Sequence, residues 1–283
     1  MSCQTPFMVK INDSGIRSID YVLVPCGHCP DCLRHRSNVW AHRLEQENKQ
    51  ALSSYFVTLT YDDENLPQNE SVDKKDVQLF FKRLRQFLKR KLELDTKLRY
   101  FLVSEYGDSF GRPHYHSLIF LNHRVDLLVF MKAVYRSWEK GRIDIGNVTP
   151  GSIRYCSKYC LKNDANKPYN IDPDTGEIKY FERVFSLMSR RPAIGANFLT
   201  DNMKKYLSQG VFALEIAKDK YIPLARYYKE KSIPKDVRRA NTIRMMKEYF
   251  GEMDHCDYKK VVDHEKYCIH HNKVKLSHDK IRK

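Results

Sequence analysis

Residues 98–105 read LRYFLVSE and residues 114–121 read HYHSLIFL. Both runs have the aromatic and branched apolar content of β-strands. The eight residues between them, YGDSFGRP, carry two glycines and a proline. A connection that short predicts an antiparallel hairpin, and a hairpin fixes which side chains share a face. Residues two apart project together, so His114 and His116 face one way and Tyr115 the other. Glu105 shares a face with Val103 and Phe101. Pairing of the two strands can set it beside the histidines.

The neighbouring segments extend this pattern. YFVTLTY (55–61) reads as a strand, followed by the loop DDENLP. From Asp73 to about Leu92 the period changes: Val77, Phe80, Phe81, Leu84, Phe87 and Leu88 make one apolar helical stripe. Lys82, Arg83, Arg85, Lys89, Arg90 and Lys91 fall largely off it, as a solvated face or, less simply, a DNA contact. Asp126 to about Trp138 is a second amphipathic helix, RIDIGNV (142–148) a fourth strand and SIRYCSKYCLK (152–162) a short helix. The order β-α-β-β-α-β-α predicts an α+β fold of the ferredoxin or RNA-recognition kind, an antiparallel sheet with helices on one face. A strand at Tyr21–Val24 could extend that sheet. PYNIDPDTGE is turn-rich, residues 195–217 and 237–250 look helical, and the tail from Lys273 is basic. The expected division is a cysteine-rich segment at 1–50, a central domain at 51–168 and a mostly helical basic extension at 169–283.

Charge narrows the function. The 283 residues carry 50 Lys and Arg against 35 Asp and Glu, a formal +15. A surplus of that size points to a polyanionic partner, most often nucleic acid. With 18 Tyr and 14 Phe, the chain has rings on which single-stranded bases can stack, although most rings would fill the core. No apolar stretch approaches the length of a membrane span. MSCQTPFMVK lacks the apolar centre of a signal peptide. A reducing cytosol is expected, where eight cysteines suggest thiols or metal ligands rather than disulfides.

Two imidazoles and one carboxylate, Glu105, His114 and His116, are either satisfied polar side chains or an incomplete shell for a divalent ion. Tyr155 and Tyr159 are four apart and share a helical face, with Lys158 and Lys162 each three beyond a tyrosine. A tyrosine hydroxyl can attack phosphorus. At an ordinary pKa of about 10, roughly one in a thousand is ionised at neutral pH, so a nearby ammonium would help. Packing of both tyrosines in the core is the plainer alternative, but Cys156 and Cys160 already supply an apolar face.

Cys26, Cys29 and Cys32 are spaced like the ligands of a zinc knuckle. Cys3, His28 or His35 could be the fourth ligand, and Cys3 is favoured because it would close the N-terminal segment onto the knuckle. An iron–sulfur cluster or reduced thiols are the alternatives. The looser set His255, Cys256, His264, Cys268, His270 and His271 matches no common module and reads better as a solvated helix.

Three of these segments carry a resemblance. RPHYHSLIF (112–120) resembles the HUH motif of rolling-circle replication initiators and relaxases. YCSKYCLK (155–162) resembles the two-tyrosine motif of that superfamily, and YFVTLTY its first motif. PCGHCPDCLRHRSNVWAHRLEQE (25–47) is similar to the start of replication-initiation proteins of gokushovirus-type (Microviridae) single-stranded-DNA phages. The resemblance implies an HUH endonuclease fold and a metal-dependent nickase and strand transferase acting at a phage origin. Glu105, His114 and His116 would hold Mg²⁺ or Mn²⁺. Tyr155 would attack to give a 5′-phosphotyrosine and a free 3′-hydroxyl, Tyr159 would alternate with it, and Lys158 and Lys162 would steady the charge. Cys3, Cys26, Cys29 and Cys32 would hold structural Zn²⁺. Partners would be single-stranded DNA and circular double-stranded DNA, in the host bacterial cytoplasm. No G-x-x-x-x-G-K-[ST] occurs, so a host helicase and DNA polymerase are expected. Two rivals share some features: a plasmid relaxase or transposase with the same chemistry, and a non-enzymatic zinc-stabilised DNA-binding protein. The second leaves Glu105, His114, His116 and Tyr155 without a role.

Overall fold

The computed structural model describes residues 3, 5–10, 21–67, 69–92, 97–107, 111–159, 169–171, 176 and 178–250. In chain order its elements are β1 (Phe7–Lys10), β2 (Tyr21–Val24), α1 (Pro30–Gln50), β3 (Ser53–Thr60), α2 (Lys74–Leu92), β4 (Leu98–Tyr106), β5 (Pro113–Leu121), α3 (Leu127–Trp138), β6 (Ile143–Asn147) and α4 (Pro150–Tyr159). There follow β7 (Tyr169–Ile171), β8 (Ile178–Tyr180), β9 (Ser186–Met188), α5 (Asp201–Ser208), β10 (Ala213–Ala217), β11 (Lys220–Pro223), α6 (Arg226–Ser232) and α7 (Lys235–Phe250). They group into two compact units, Ser37–Thr200, and Met1–Arg36 with Asp201–Lys283.

The first of these units is built on an antiparallel sheet of order β6-β3-β5-β4-β9. Strand alternation gives it two unlike faces. On one, Tyr55, Val57, Leu59, Leu102, Tyr115 and Ile119 meet the α2 stripe (Val77, Phe80, Phe81, Leu84, Leu88) and the α3 residues Phe130, Val134 and Trp138. Tyr115 is fully buried there. Its hydroxyl lies 3.0 Å from that of Tyr61 and accepts the Asp73 N–H at 2.6 Å. Burial pushes both phenols well up, so they stay protonated and serve as structural hydrogen-bonding groups.

The opposite face carries a second core: Phe101, Val103, Leu118 and Phe120 from the sheet, Leu44 from α1, Ile153 and Cys156 from α4, and Ile194. Helices therefore cover both faces, not one as expected. The reason is in β5. Its site half alternates, but Leu118, Ile119, Phe120 and Leu121 are all buried, and a strand apolar on both sides needs cover on both. Residues 190–195 are tied to this face by charge. Arg99 pairs with the buried Glu47, Glu47 accepts the Gly195 N–H at 2.7 Å, and Arg43 donates to the Ile194 carbonyl at 2.8 Å.

Two other expectations change. Tyr21–Val24 is a strand, but it pairs with β1 in a separate two-stranded sheet; the fifth strand of the main sheet is β9. Residues 195–217 are not one helical stretch: α5 ends before Gly210, whose φ of +94° suits glycine, and β10 then pairs with β11. In the unit of Met1–Arg36 with Asp201–Lys283, α7 packs on β2 and α5 on α6. Among the described residues no helix is long and apolar enough to cross a membrane. The basic tail from Lys273 and the histidine and cysteine set at 255–271 lie outside the described residues.

Candidate active site

The polar half of the second sheet face is built by register. Glu105 on β4 lies opposite His114 on β5, and Val103 opposite His116. On the other side of β5, Thr58 and Thr60 of β3 lie opposite His116 and His114. The hairpin therefore puts Glu105 and both histidines on one face.

Helix α4 closes over this face. Thr149 and Ser152 cap its start reciprocally: each backbone N–H is bonded by the other's hydroxyl, at 2.9 and 3.1 Å. Ile153 and Cys156 bury one side, and Ser157 meets Ser37 of α1 at 3.1 Å. That leaves Tyr155 tipped toward the strands and 37% exposed. Its hydroxyl donates to Glu105 Oε2 at 3.0 Å and lies 3.4 Å from His116 Nε2. His116 Nε2 is also 3.3 Å from Glu105 Oε2. Three reactive groups from three elements thus converge, with Glu105 buried and Tyr155 open to a substrate.

The imidazoles are held by neighbours that sequence reading did not single out. Thr58 Oγ1 meets His116 Nδ1 at 3.1 Å. Phe56 stacks on the His116 ring at 5.8 Å, and Tyr155 meets that ring edge-on at 5.0 Å. His114 Nδ1 donates to the Arg112 carbonyl at 2.6 Å. A carbonyl only accepts, so in a neutral ring Nε2 keeps the lone pair. Gly107 makes room for this ring: a Cβ there would sit 2.9 Å from His114 Cε1. Both Nδ1 atoms being engaged is how imidazoles are fixed to present Nε2 to a metal. Two imidazole nitrogens and a carboxylate suit a divalent ion chemically. His114 nevertheless stands apart, its ring parallel to that of His116 with centroids 6.4 Å apart. Lys158 is on the exposed side of α4. The backbone of Tyr159 ends that helix, whereas Cys160 and Lys162 lie outside the described residues.

The cysteines form a second constellation, in the other unit. Cys3, Cys26, Cys29 and Cys32 place their sulfurs within 4.8 Å of one another, the only such group of three or more His, Cys, Asp or Glu among the described residues. Two Sγ pairs, Cys26 with Cys32 and Cys29 with Cys3, are at 3.9 Å. Tetrahedral Zn–S bonds of about 2.3 Å would put sulfurs about 3.8 Å apart. Backbone N–H groups of His28 and Cys29 point at Cys26 Sγ, at 3.4 and 3.2 Å. Burial pushes Cys32 up to about 12 and also raises Cys3. Cys26 falls to about 6, because burial is outweighed by hydrogen bonds from Thr5, His28 and Cys29. The four thiols can hold a metal such as zinc, with Cys3 in the place of fourth ligand.

Residues 54–164 match the family model of the replication-associated protein known as ORF2 or gene 2 protein. Over 258 residues the chain is 31% identical to the replication-associated protein VP4 of Bdellovibrio phage phiMH2K, covering 81% of this chain and 76% of that protein. It is 29% identical over 199 residues to the replication-associated protein ORF2 of Spiroplasma virus 4 (64% of this chain, 58% of that one). It is also 28% identical over 154 residues to the replication-associated protein ORF4 of Chlamydia phage 1 (49% and 38%). The chain belongs to this family of phage replication-associated proteins. No solved structure matches it significantly.

Proposed function

We propose that the protein starts rolling-circle replication of a phage genome by nicking one DNA strand at the origin and later rejoining it. The observation that carries this reading is the Tyr155 hydroxyl, exposed yet within 3.4 Å of both Glu105 and His116. A phenol in that position can attack a phosphodiester presented over the sheet face. The new bond joins Tyr155 Oη to the 5′ phosphate; the bond to the 3′ oxygen breaks, and that oxygen leaves as a hydroxyl able to prime synthesis. The attacking phenol must shed its proton, and Glu105 Oε2 already accepts it in a hydrogen bond. The covalent intermediate conserves the phosphodiester energy for rejoining. Glu105, His114 and His116 would hold Mg²⁺ or Mn²⁺, which when bound supplies Lewis-acid polarisation of the scissile phosphate. Tyr159 acts in the second round, and Lys158 and Lys162 offset phosphate charge. Zn²⁺ on the four cysteines is structural. The HUH endonuclease fold, host helicase and polymerase, and host cytoplasm complete the proposal.

The test is an incubation with single-stranded oligonucleotides covering the origin, with Mn²⁺. A denaturation-resistant protein–DNA adduct that EDTA prevents is expected. Absence of an adduct on every origin-derived strand would sink the nickase reading.

Gly107 offers a finer test. The Gly107→Ala substitution pushes its Cβ into His114 and should turn that ring off the Arg112 carbonyl. Because such supporting contacts contribute roughly 10–100-fold in metal affinity or activity, half-maximal adduct formation should need roughly 10–100 times more Mn²⁺. An unchanged Mn²⁺ titration would remove His114 from the ligand set.

A further inference from the structure

On the sheet face remote from Tyr155, helices α2 and α3 enclose a cleft of about 370 Å³. Its lining includes Arg83, Gln86, Phe87, Arg90 and Lys91 of α2 and Arg136 of α3. The four cations are exposed, and among the described residues none is ion-paired. Charge around the cleft is one-sided. The α2 sequence KKDVQLFFKRLRQFLKRKL has eight basic residues and one acid, and α3 has two basic residues and no acid. That acid, Asp76, is committed to Tyr61 at 2.9 Å and Lys140 at 3.2 Å. Neighbouring Arg85 is engaged differently: its guanidinium lies 5.4 Å over the Tyr100 ring and 5.9 Å over that of Phe81.

We propose that this cleft is a second DNA-contact surface, which grips backbone phosphates of DNA flanking the stretch under attack at Tyr155. Arginine guanidinium groups match phosphate geometry and accept little desolvation cost. Residues 83 to 91 span about 12 Å of helix at 1.5 Å each, which is the length of about three phosphates along one strand at 3.4 Å each. A solvated face would scatter its cations; here Arg136 comes from a different helix and meets the α2 row across the cleft. Gln86 and the half-buried Phe87 give the same cleft an amide and a ring edge for a sugar or base. DNA is chosen as the ligand on the strength of the replication role, but the nicking chemistry is not required.

The triple variant Arg83→Gln/Arg90→Gln/Arg136→Gln tests this in the full-length chain. Affinities for a labelled single strand and a labelled duplex are measured from about 50 to 300 mM salt. Losing about three phosphate contacts should flatten the log–log salt slope by about 2 for the single strand or about 2.7 for the duplex. Affinity at low salt should fall at least tenfold. Whichever DNA form shows the change identifies the form held. A control variant, Arg191→Gln/Lys218→Gln/Lys220→Gln, removes the same charge from exposed positions elsewhere. Unchanged slopes for both DNA forms overturn the proposal, as does an equal loss in the control. Adduct formation by the unaltered protein is scored in parallel: if it is absent while the slopes change, the nickase reading fails and the cleft stands.

Discussion

The Tyr155→Phe variant is expected to lower the rate of covalent adduct formation on origin DNA by at least about a thousandfold, the order of loss seen when a nucleophile is deleted. The substitution removes one oxygen and little else. That oxygen is the one bonded to Glu105 Oε2 at 3.0 Å and close to His116 Nε2. The rest of the ring should stay where it is, edge-on to His116 and Phe56. Glu105 keeps its contact with His116 at 3.3 Å, so the stability cost should not exceed about 1–2 kcal/mol, that of one lost partner of a partly buried group. Residual adduct would come from Tyr159, and Tyr155→Phe/Tyr159→Phe should form none. Nuclease digestion followed by peptide mass spectrometry reads the attachment site directly. Wild-type rates in Tyr155→Phe, or adduct from the double variant, would move the nucleophile elsewhere. Tyr115→Phe is the contrasting case: its hydroxyl is buried against Tyr61 and Asp73 on the other face, so it should lose stability rather than nicking.

That contrast shows what the sequence made legible. HYH, a tyrosine between two histidines, invites the central ring as nucleophile. Alternation alone sends Tyr115 into the core, and the structure buries it completely. The hairpin register, with Glu105 opposite His114, was readable because the loop is short and both runs are strongly strand-like. Thr58 and Phe56 were less readable. They lie in YFVTLTY, but their roles follow from β3 pairing with β5, a contact between strands about sixty residues apart. Gly107 was hidden in a turn where glycine needs no special reason. Helix α1 left little signal because it is mostly polar; only Leu44 and Glu47 are buried in it. Glu47 is a charge at a core position, and its partner Arg99 lies on β4. β9 is three residues long, too short for any periodicity. Nothing in composition foretells that Met1–Arg36 groups with Asp201–Lys283, since that association joins the two ends of the chain.

The second large effect should come from the cysteines. Purified protein is expected to carry about one zinc per chain, and Cys26→Ser should reduce this below about a tenth. The geometry argues for a cooperative site rather than four chance thiols. Two Sγ pairs already stand at 3.9 Å, near the spacing tetrahedral Zn–S bonds impose. Two backbone N–H groups converge on Cys26 Sγ, and the Cys26 N–H points at Cys3 Sγ at 3.3 Å. The segment around the site has little else to hold it. β1 and β2 are four residues each in a two-stranded sheet, and an isolated two-stranded sheet is marginal in water. Structural zinc sites contribute on the order of 10 kcal/mol or more, which is folding free energy when no site exists in the unfolded chain. Chelation or Cys26→Ser should therefore abolish hydrogen-exchange protection of Tyr21–Val24. The β3–β5 ladder, with its own core of Val57, Leu59, Tyr115 and Ile119, should keep its protection. Full protection of Tyr21–Val24 in zinc-free protein would show that the thiols are merely neighbours. Loss of protection in the β3–β5 ladder as well would show that zinc organises more of the chain than its own segment, making the cluster a condition for the Tyr155 site rather than an appendage to it.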